Sequence, residues 1–240
     1  MLLDPIVHGD YPPEMRHYLG KTLPRFSEEE VKYVKGSADF IGINHYTTLY
    51  AKDCIHSACE SGWDRPIRGF VYPTGVRNGI LIGEPAGNPR FFVVPRGMEK
   101  IVNYVKERYN NMPMFITENG FSPPPQEHEP VEDLLEDAGR IHFHKSYLAA
   151  LARAIRNGAD VRGYFAWSLI DNFEWMEGYS ARYGLYYVDR RTLKRIPKHS
   201  AKWYKDLITN VSEEDFAAIS LSDKRMTYSP SDSEAAKAET

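Results

Sequence analysis

Three short stretches of the 240-residue chain end in side chains that could do chemistry together. Met114-Phe115-Ile116-Thr117 is an apolar, strand-like run that stops at Glu118-Asn119-Gly120. Phe40 to Thr47 is a β-rich run with Asn44 and Tyr46 toward its polar end, and Val161 to Ile170 contains Trp167 and leads into Glu174-Trp175. A sugar ring packs its C–H face on an indole and needs amide or carboxylate partners for its hydroxyl rim, so Trp167, Glu174 and Trp175 supply both kinds of contact. A carboxylate at a strand end can also attack an anomeric carbon and hold the sugar as an ester until water releases it. Glu118 is the candidate for that role.

Each residue also has a plainer reading. Glu118 before Asn-Gly suits a solvated turn, and Trp167 inside an apolar run suits a core. Asn44 and Tyr46 could satisfy backbone groups at a strand end, and Glu174 and Trp175 could be ordinary loop residues. What favours chemistry is that all six fall at the same end of their elements.

The elements that must position them are read from pattern. Short helices are expected at Pro12 to Leu19 and at Ser27 to Val34, where Ser27 and Glu30 form a capping box. Phe40 to Thr47 has the composition of a strand buried on both faces. Leu49 to Gly97 is rich in Gly and Pro without a sustained period and reads as a long excursion. A helix from Met98 to Tyr109 places Met98, Ile101, Val102, Val105 and Tyr109 on one stripe. A longer one, Asp133 to Asn157, aligns His144, Tyr147, Leu148, Leu151, Ala154 and Ile155 and stops at Asn157-Gly158. The last helix is expected at Lys198 to Thr209. This order, strand and helix three times over, predicts an α/β fold of right-handed βαβ units around a parallel sheet, with the chemistry at the carboxyl ends of the strands. Beyond about Leu221 the chain has no apolar period and is expected to be disordered.

Composition narrows the partners. A formal charge of −3 from 30 basic and 33 acidic residues gives no broad positive field for nucleic acid or an anionic membrane. No run reaches the roughly 18 apolar residues of a bilayer span. The opening MLLDPIVHGDYPPEMR has no basic segment followed by an apolar core, so no export signal is expected in it. Cys54 and Cys59 fit no zinc spacing, and a free pair and one small loop disulfide are both open. The triplet Asn210-Val211-Ser212 is a weak glycosylation signal.

Taken together, the motifs resemble family 1 of the glycoside hydrolases, especially plant β-glucosidases. The resemblance lies in ITENG at 116–120, FIGINHYT at 40–47 and FAWSLIDNFEWMEGYSARYGLYYVD at 165–189. LDPIVHGDYPPEMR near the start, GNPRFFVVPRGMEK at 87–100 and KRIPKHSAKWYK at 194–205 extend it almost continuously from Leu3 to about Ile208. It implies a (β/α)8 TIM barrel, of which this chain would cover the sixth to eighth β/α units within residues 1–221, and hydrolysis of a small-molecule β-glycoside by retaining double displacement without a cofactor or metal. It further implies Glu118 as nucleophile, Tyr46 as its hydrogen-bond donor with Asn44 beside it, and Trp167 as a floor under the sugar. Glu174 would accept from O4 and O6, Trp175 would donate to O3, and Tyr183 would stand near O6.

The family's acid/base glutamate lies in an Asn-Glu-Pro type motif, and the chain contains none. Gly83-Glu84-Pro85 comes closest, but it falls between the sixth and seventh strand motifs and reads as a decoy. Three strands cannot close a barrel, so this piece is expected to be marginal in isolation, inactive alone, and completed by an amino-terminal half. Loss of the general acid removes about 10² to 10⁴ in rate. The alternative reading is a non-catalytic carbohydrate-binding or interaction remnant.

Overall fold

Left-handed and proline positions set the limits of the first helices. The structure, a computed structural model, describes residues 2–59, 70–125 and 130–210, so the expected tail at 222–240 and the end of the Asn210 triplet lie outside the described residues. α1 (Leu3–His8) stops at Gly9, whose φ of 86° is left-handed and whose Cα lies tight against Val31 and Lys35. α2 (Pro13–Leu19) begins on a proline, which has no N–H to leave unpaired there. α3 (Glu28–Val34) has the expected capping box, with Glu30 N–H donating to Ser27 Oγ (3.2 Å) and Ser27 N–H to Glu30 Oε2 (2.7 Å).

β1 (Ile41–Asn44) follows, and then the excursion, which is not structureless. It folds into three antiparallel pairs: β2 (Tyr50–Asp53) with β3 (Val71–Thr74), β4 (Val76–Arg77) with β5 (Ile80–Leu81), and β6 (Glu84–Pro85) with β7 (Phe92–Val93). Cys54 and Cys59 are joined as a disulfide, which decides between the two open readings. α4 (Pro95–Arg108) begins before the expected Met98 because Pro95 and Gly97 belong to its first turn. β8 (Met114–Asn119) comes next, then α5 (Val131–Leu135), α6 (Ala138–Arg156) and β9 (Val161–Ala166). The described chain ends in a hairpin of β10 (Tyr186–Val188) with β11 (Arg195–Pro197) and in α7 (His199–Asn210).

The parallel sheet has the order β1-β8-β9, with Asn44 opposite Glu118 and Asn119 opposite Ala166. The three chemistry-bearing segments therefore do run side by side and end together, with β8 in the middle. Met98, Val102 and Val105 of α4 pack with Tyr147, Leu151 and Ala154 of α6 and with Ile41, Met114 and Ile116 of the sheet. Tyr147 is fully buried, and its hydroxyl accepts the Val94 N–H at 2.9 Å.

Four expectations change. β1 is buried on one face only: Ile41 is covered by the helices, whereas Phe40 is 52% exposed and Gly42 and Asn44 are also open, because the opposite side of the sheet is uncovered. The helix expected at Asp133 to Asn157 is two helices, broken at Glu136-Asp137, where the Asp137 carboxylate bonds Arg140 and Ser200 in place of the helix frame. Ile101 and Ile155 lie at the edges of their stripes and are exposed. β9 ends at Ala166, and Trp167 lies just beyond it at a cis Trp167–Ser168 peptide bond. Among the described residues no helix is long and apolar enough to cross a membrane.

Tyr147→Phe keeps the packing and orphans the buried Val94 N–H. We expect a stability loss of about 1–3 kcal/mol by urea unfolding, with an unchanged denaturant slope.

Candidate active site

Glu118 lies near the carboxyl end of the middle strand, where neighbours on both sides fix its backbone. Tyr46, two residues past the end of β1, donates its hydroxyl to Glu118 Oε2 at 2.6 Å. The ring of Tyr46 stacks on Phe91 at 5.8 Å and meets Tyr183 edge-on at 5.9 Å. Burial, followed by the Glu118 hydrogen bond and charge, pushes the Tyr46 hydroxyl above the ordinary tyrosine range, so it stays a donor at physiological pH. Tyr183 is buried, and burial followed by the charge of Glu174 raises its hydroxyl to about 12.

Glu174 is 8% exposed and accepts the Trp167 indole N–H on Oε1 at 2.9 Å. Its backbone N–H bonds Gly178 O at 2.7 Å, which closes the loop into a tight turn. Gly120 lets the β8 loop pass beneath Trp167, since a Cβ there would run into the Trp167 carbonyl oxygen. Asn44 lies opposite Glu118 and accepts the Thr117 hydroxyl on Oδ1 at 2.6 Å. The structure thus gathers Glu118, Tyr46, Tyr183, Glu174 and Trp167, with Asn44 at the rim. Trp175 does not join the packed group and is 87% exposed. Glu84 is exposed and sits in the β6–β7 pair.

Several supporting residues escaped sequence reading. Arg140 is buried; it donates to Asp137 Oδ2 (2.7 Å), Arg182 O (2.8 Å) and Tyr183 O (3.0 Å), and also to Phe121 O. Asp171 accepts Lys198 Nζ and Gly184 N–H on Oδ1, each at 2.9 Å. Burial, and then the charge of Arg140, lowers the Lys198 ammonium to about 8. Asn119, Tyr164 and His144 form a further buried chain beneath Glu118. Spacing alone could have flagged one of these pairs, since Asp137 and Arg140 stand three apart. Among the described residues no group of three or more His, Cys, Asp or Glu side chains is arranged to hold a metal ion.

Residues 1–213 match the model of glycosyl hydrolase family 1. The chain is 50% identical over 210 residues to the rice (Oryza sativa subsp. japonica) protein named Probable inactive beta-glucosidase 14, covering 86% of this chain and 40% of that one. A rice beta-glucosidase crystal structure aligns at 45% identity with a TM-score of 0.77, covering 85% of this chain and 44% of the other. A GH1 beta-glucosidase from the fungus Humicola insolens, solved in complex with glucose, aligns at 39% identity with a TM-score of 0.78, covering 88% and 44%. The chain therefore spans about two fifths of the length of these proteins, and its fold is that of part of their barrel.

Burial lowers His45 to about 4, and burial with the nearby Arg140 charge lowers His144 to about 3, against an ordinary 6.5. Between those values and 6.5 the unfolded chain binds more protons, so stability is fullest above pH 6.5 and falls as pH drops. Each histidine contributes about 1.4 kcal/mol per pH unit to that fall. In urea unfolding at pH 6, 5 and 4.5, His144→Gln is expected to remove one proton's worth of the slope.

Proposed function

Because the chain belongs to glycosyl hydrolase family 1, we propose that Glu118 is the nucleophile of a β-glucosidase-type retaining hydrolysis. The observation that carries this reading is the 2.6 Å hydrogen bond from Tyr46 to Glu118 Oε2 at the carboxyl end of the middle strand. It fixes the rotation of the carboxylate and leaves Oε1 to attack. The C1–Oε1 bond forms as the glycosidic C–O bond breaks, and the electron pair goes to the leaving oxygen. Water then attacks C1, losing its proton to a base, and Glu118 departs as the carboxylate. Trp167 and Glu174 would hold the glycone, the indole by its face and the carboxylate by its remaining oxygen. The glucose held by the fungal relative supports a gluco-configured β-glycoside as the ligand. Trp175, the expected donor to O3, is exposed beside this group.

The general acid is a separate matter. The sequence holds no Asn-Glu-Pro, and Glu84 is exposed in the excursion. The three parallel strands correspond in this reading to the sixth to eighth units of a barrel, with the acid on a complementary amino-terminal portion. The exposed Phe40 and Phe165 on the uncovered side of the sheet support that placement. The missing motif also favours a second reading, in which the same residues bind carbohydrate without chemistry.

An activated 2-deoxy-2-fluoro-β-glucoside separates the two, because its leaving group departs without a proton. Intact-protein mass spectrometry is expected to show one glycosyl adduct on Glu118 that Glu118→Gln abolishes; reversible binding without an adduct would establish the second reading. On cellobiose, which needs the general acid, the 240-residue chain is expected to show no turnover. Hydrolysis that disappears in Glu118→Gln would mean that an acid lies within this sequence.

A further inference from the structure

Beneath the nucleophile candidate runs a polar chain whose side chains bond neither Glu118 nor the side chains of Tyr46, Trp167 and Glu174. Asn119 is completely buried, and both ends of its amide are used. Nδ2 donates to His45 O at 2.6 Å, and Oδ1 accepts the Tyr164 hydroxyl proton at 2.6 Å. Tyr164 has only that one proton, so its 2.7 Å bond to His144 is donated by the imidazole Nδ1–H. His144 is therefore the Nδ1–H tautomer. Its Nε2 is buried with no hydrogen-bond partner among the described residues, and the imidazole ring stacks on Trp203 with centroids 6.3 Å apart.

The backbone gives this chain its consequence. His45 N–H donates to Glu118 O, and Trp167 N–H donates to Asn119 O, both at 2.9 Å. The Asn119 amide thus ties together the ends of all three strands, one residue from Glu118 and one link from Tyr46. Hydrogen bonds are directional where apolar contact is not, so an amide satisfied at both ends locks the register of two strand ends that a leucine would only pack. Leaving either end unpaired at this depth is costly, which gives the arrangement its stiffness.

We infer that Asn119, Tyr164 and His144 are a positioning relay that holds Glu118 and Tyr46 at hydrogen-bonding distance. The inference rests on the reading of Glu118 as nucleophile only for its catalytic consequence; the geometric part stands alone. Tyr164→Phe cuts the relay while keeping the ring. His144→Phe cuts it one link further away, and His144→Gln retains a donor toward Tyr164.

Two readouts on the full chain test it: the ¹³C carboxyl resonance of Glu118, assigned by its loss in Glu118→Gln, with its titration midpoint, and the kinetics of fluoroglucoside labelling. In Tyr164→Phe the resonance and midpoint are expected to move. The saturating labelling rate should fall by about tenfold or more while the half-saturating concentration changes less than about twofold. His144→Phe should move both readouts the same way by less, and His144→Gln should stay near the parent. Movement of the resonance in a parent chain that does not label would uphold the relay and remove the nucleophile reading. Folded Tyr164→Phe and His144→Phe proteins with the parent's resonance, midpoint and labelling rate would overturn the relay.

Discussion

Arg140 lies in the interior with its guanidinium spread across the carbonyl oxygens of Phe121, Arg182 and Tyr183 and the carboxylate of Asp137. Phe121 belongs to the loop after β8, and Arg182 and Tyr183 to the segment after β9. Asp137 also accepts the backbone N–H (2.8 Å) and hydroxyl (2.5 Å) of Ser200 in α7. One cation therefore joins two strand-end loops and two helices. Desolvating a guanidinium is expensive, and removing either member of such a pair costs on the order of 3–5 kcal/mol, because the other charge is left buried. None of these loops can shift alone without stranding a donor. Tyr183, held by its carbonyl to Arg140, in turn meets Tyr46, which reaches Glu118.

A second ionic pair lies beside the first. Asp171 and Lys198 are both buried, and the Arg140 charge helps to lower the Lys198 ammonium. Asp171 also takes the Gly184 N–H, in a place where a Cβ on residue 184 would collide with the backbone of residues 170 and 171. Arg190 adds a bond to Asp171 O at 2.8 Å while its guanidinium lies 4.1 Å over the Tyr179 ring. The loop carrying Glu174 is thus bounded on one side by charges that cancel within the interior.

Much of this was legible in the residues. The apolar runs announced three strands, and the polar or aromatic residues where they stop fell at one end of the sheet as expected. Ser27 and Glu30 announced a helix start. The misses have local physical causes. An arginine on an otherwise apolar helix reads as a solvated position, so pattern hides the very residue that fixes the loops. Asp137 breaks a helix because its carboxylate has distant partners, Ser200 among them, that no window along the chain contains. The exposed face of β1 depends on what covers the sheet, which composition cannot state. Trp167 continues an apolar run in sequence but leaves the ladder in space.

The bonds that make the site join residues far apart in the chain: 72 positions separate Tyr46 from Glu118, 74 separate His45 from Asn119, and 43 separate Arg140 from Tyr183. No contiguous peptide contains a working portion of it. For recombination between relatives this matters more than percentage identity. With the Asn119–Tyr164 bond added, a crossover placed anywhere between Tyr46 and Tyr183 divides at least one bonded pair between parents, so chimeras survive where both sides preserve the pair. The closure extends forward to α7, where Ser200 bonds Asp137, and back to α1, where Asp4 accepts from Arg108 and Tyr109, so neither end of the described chain offers a boundary free of such pairs.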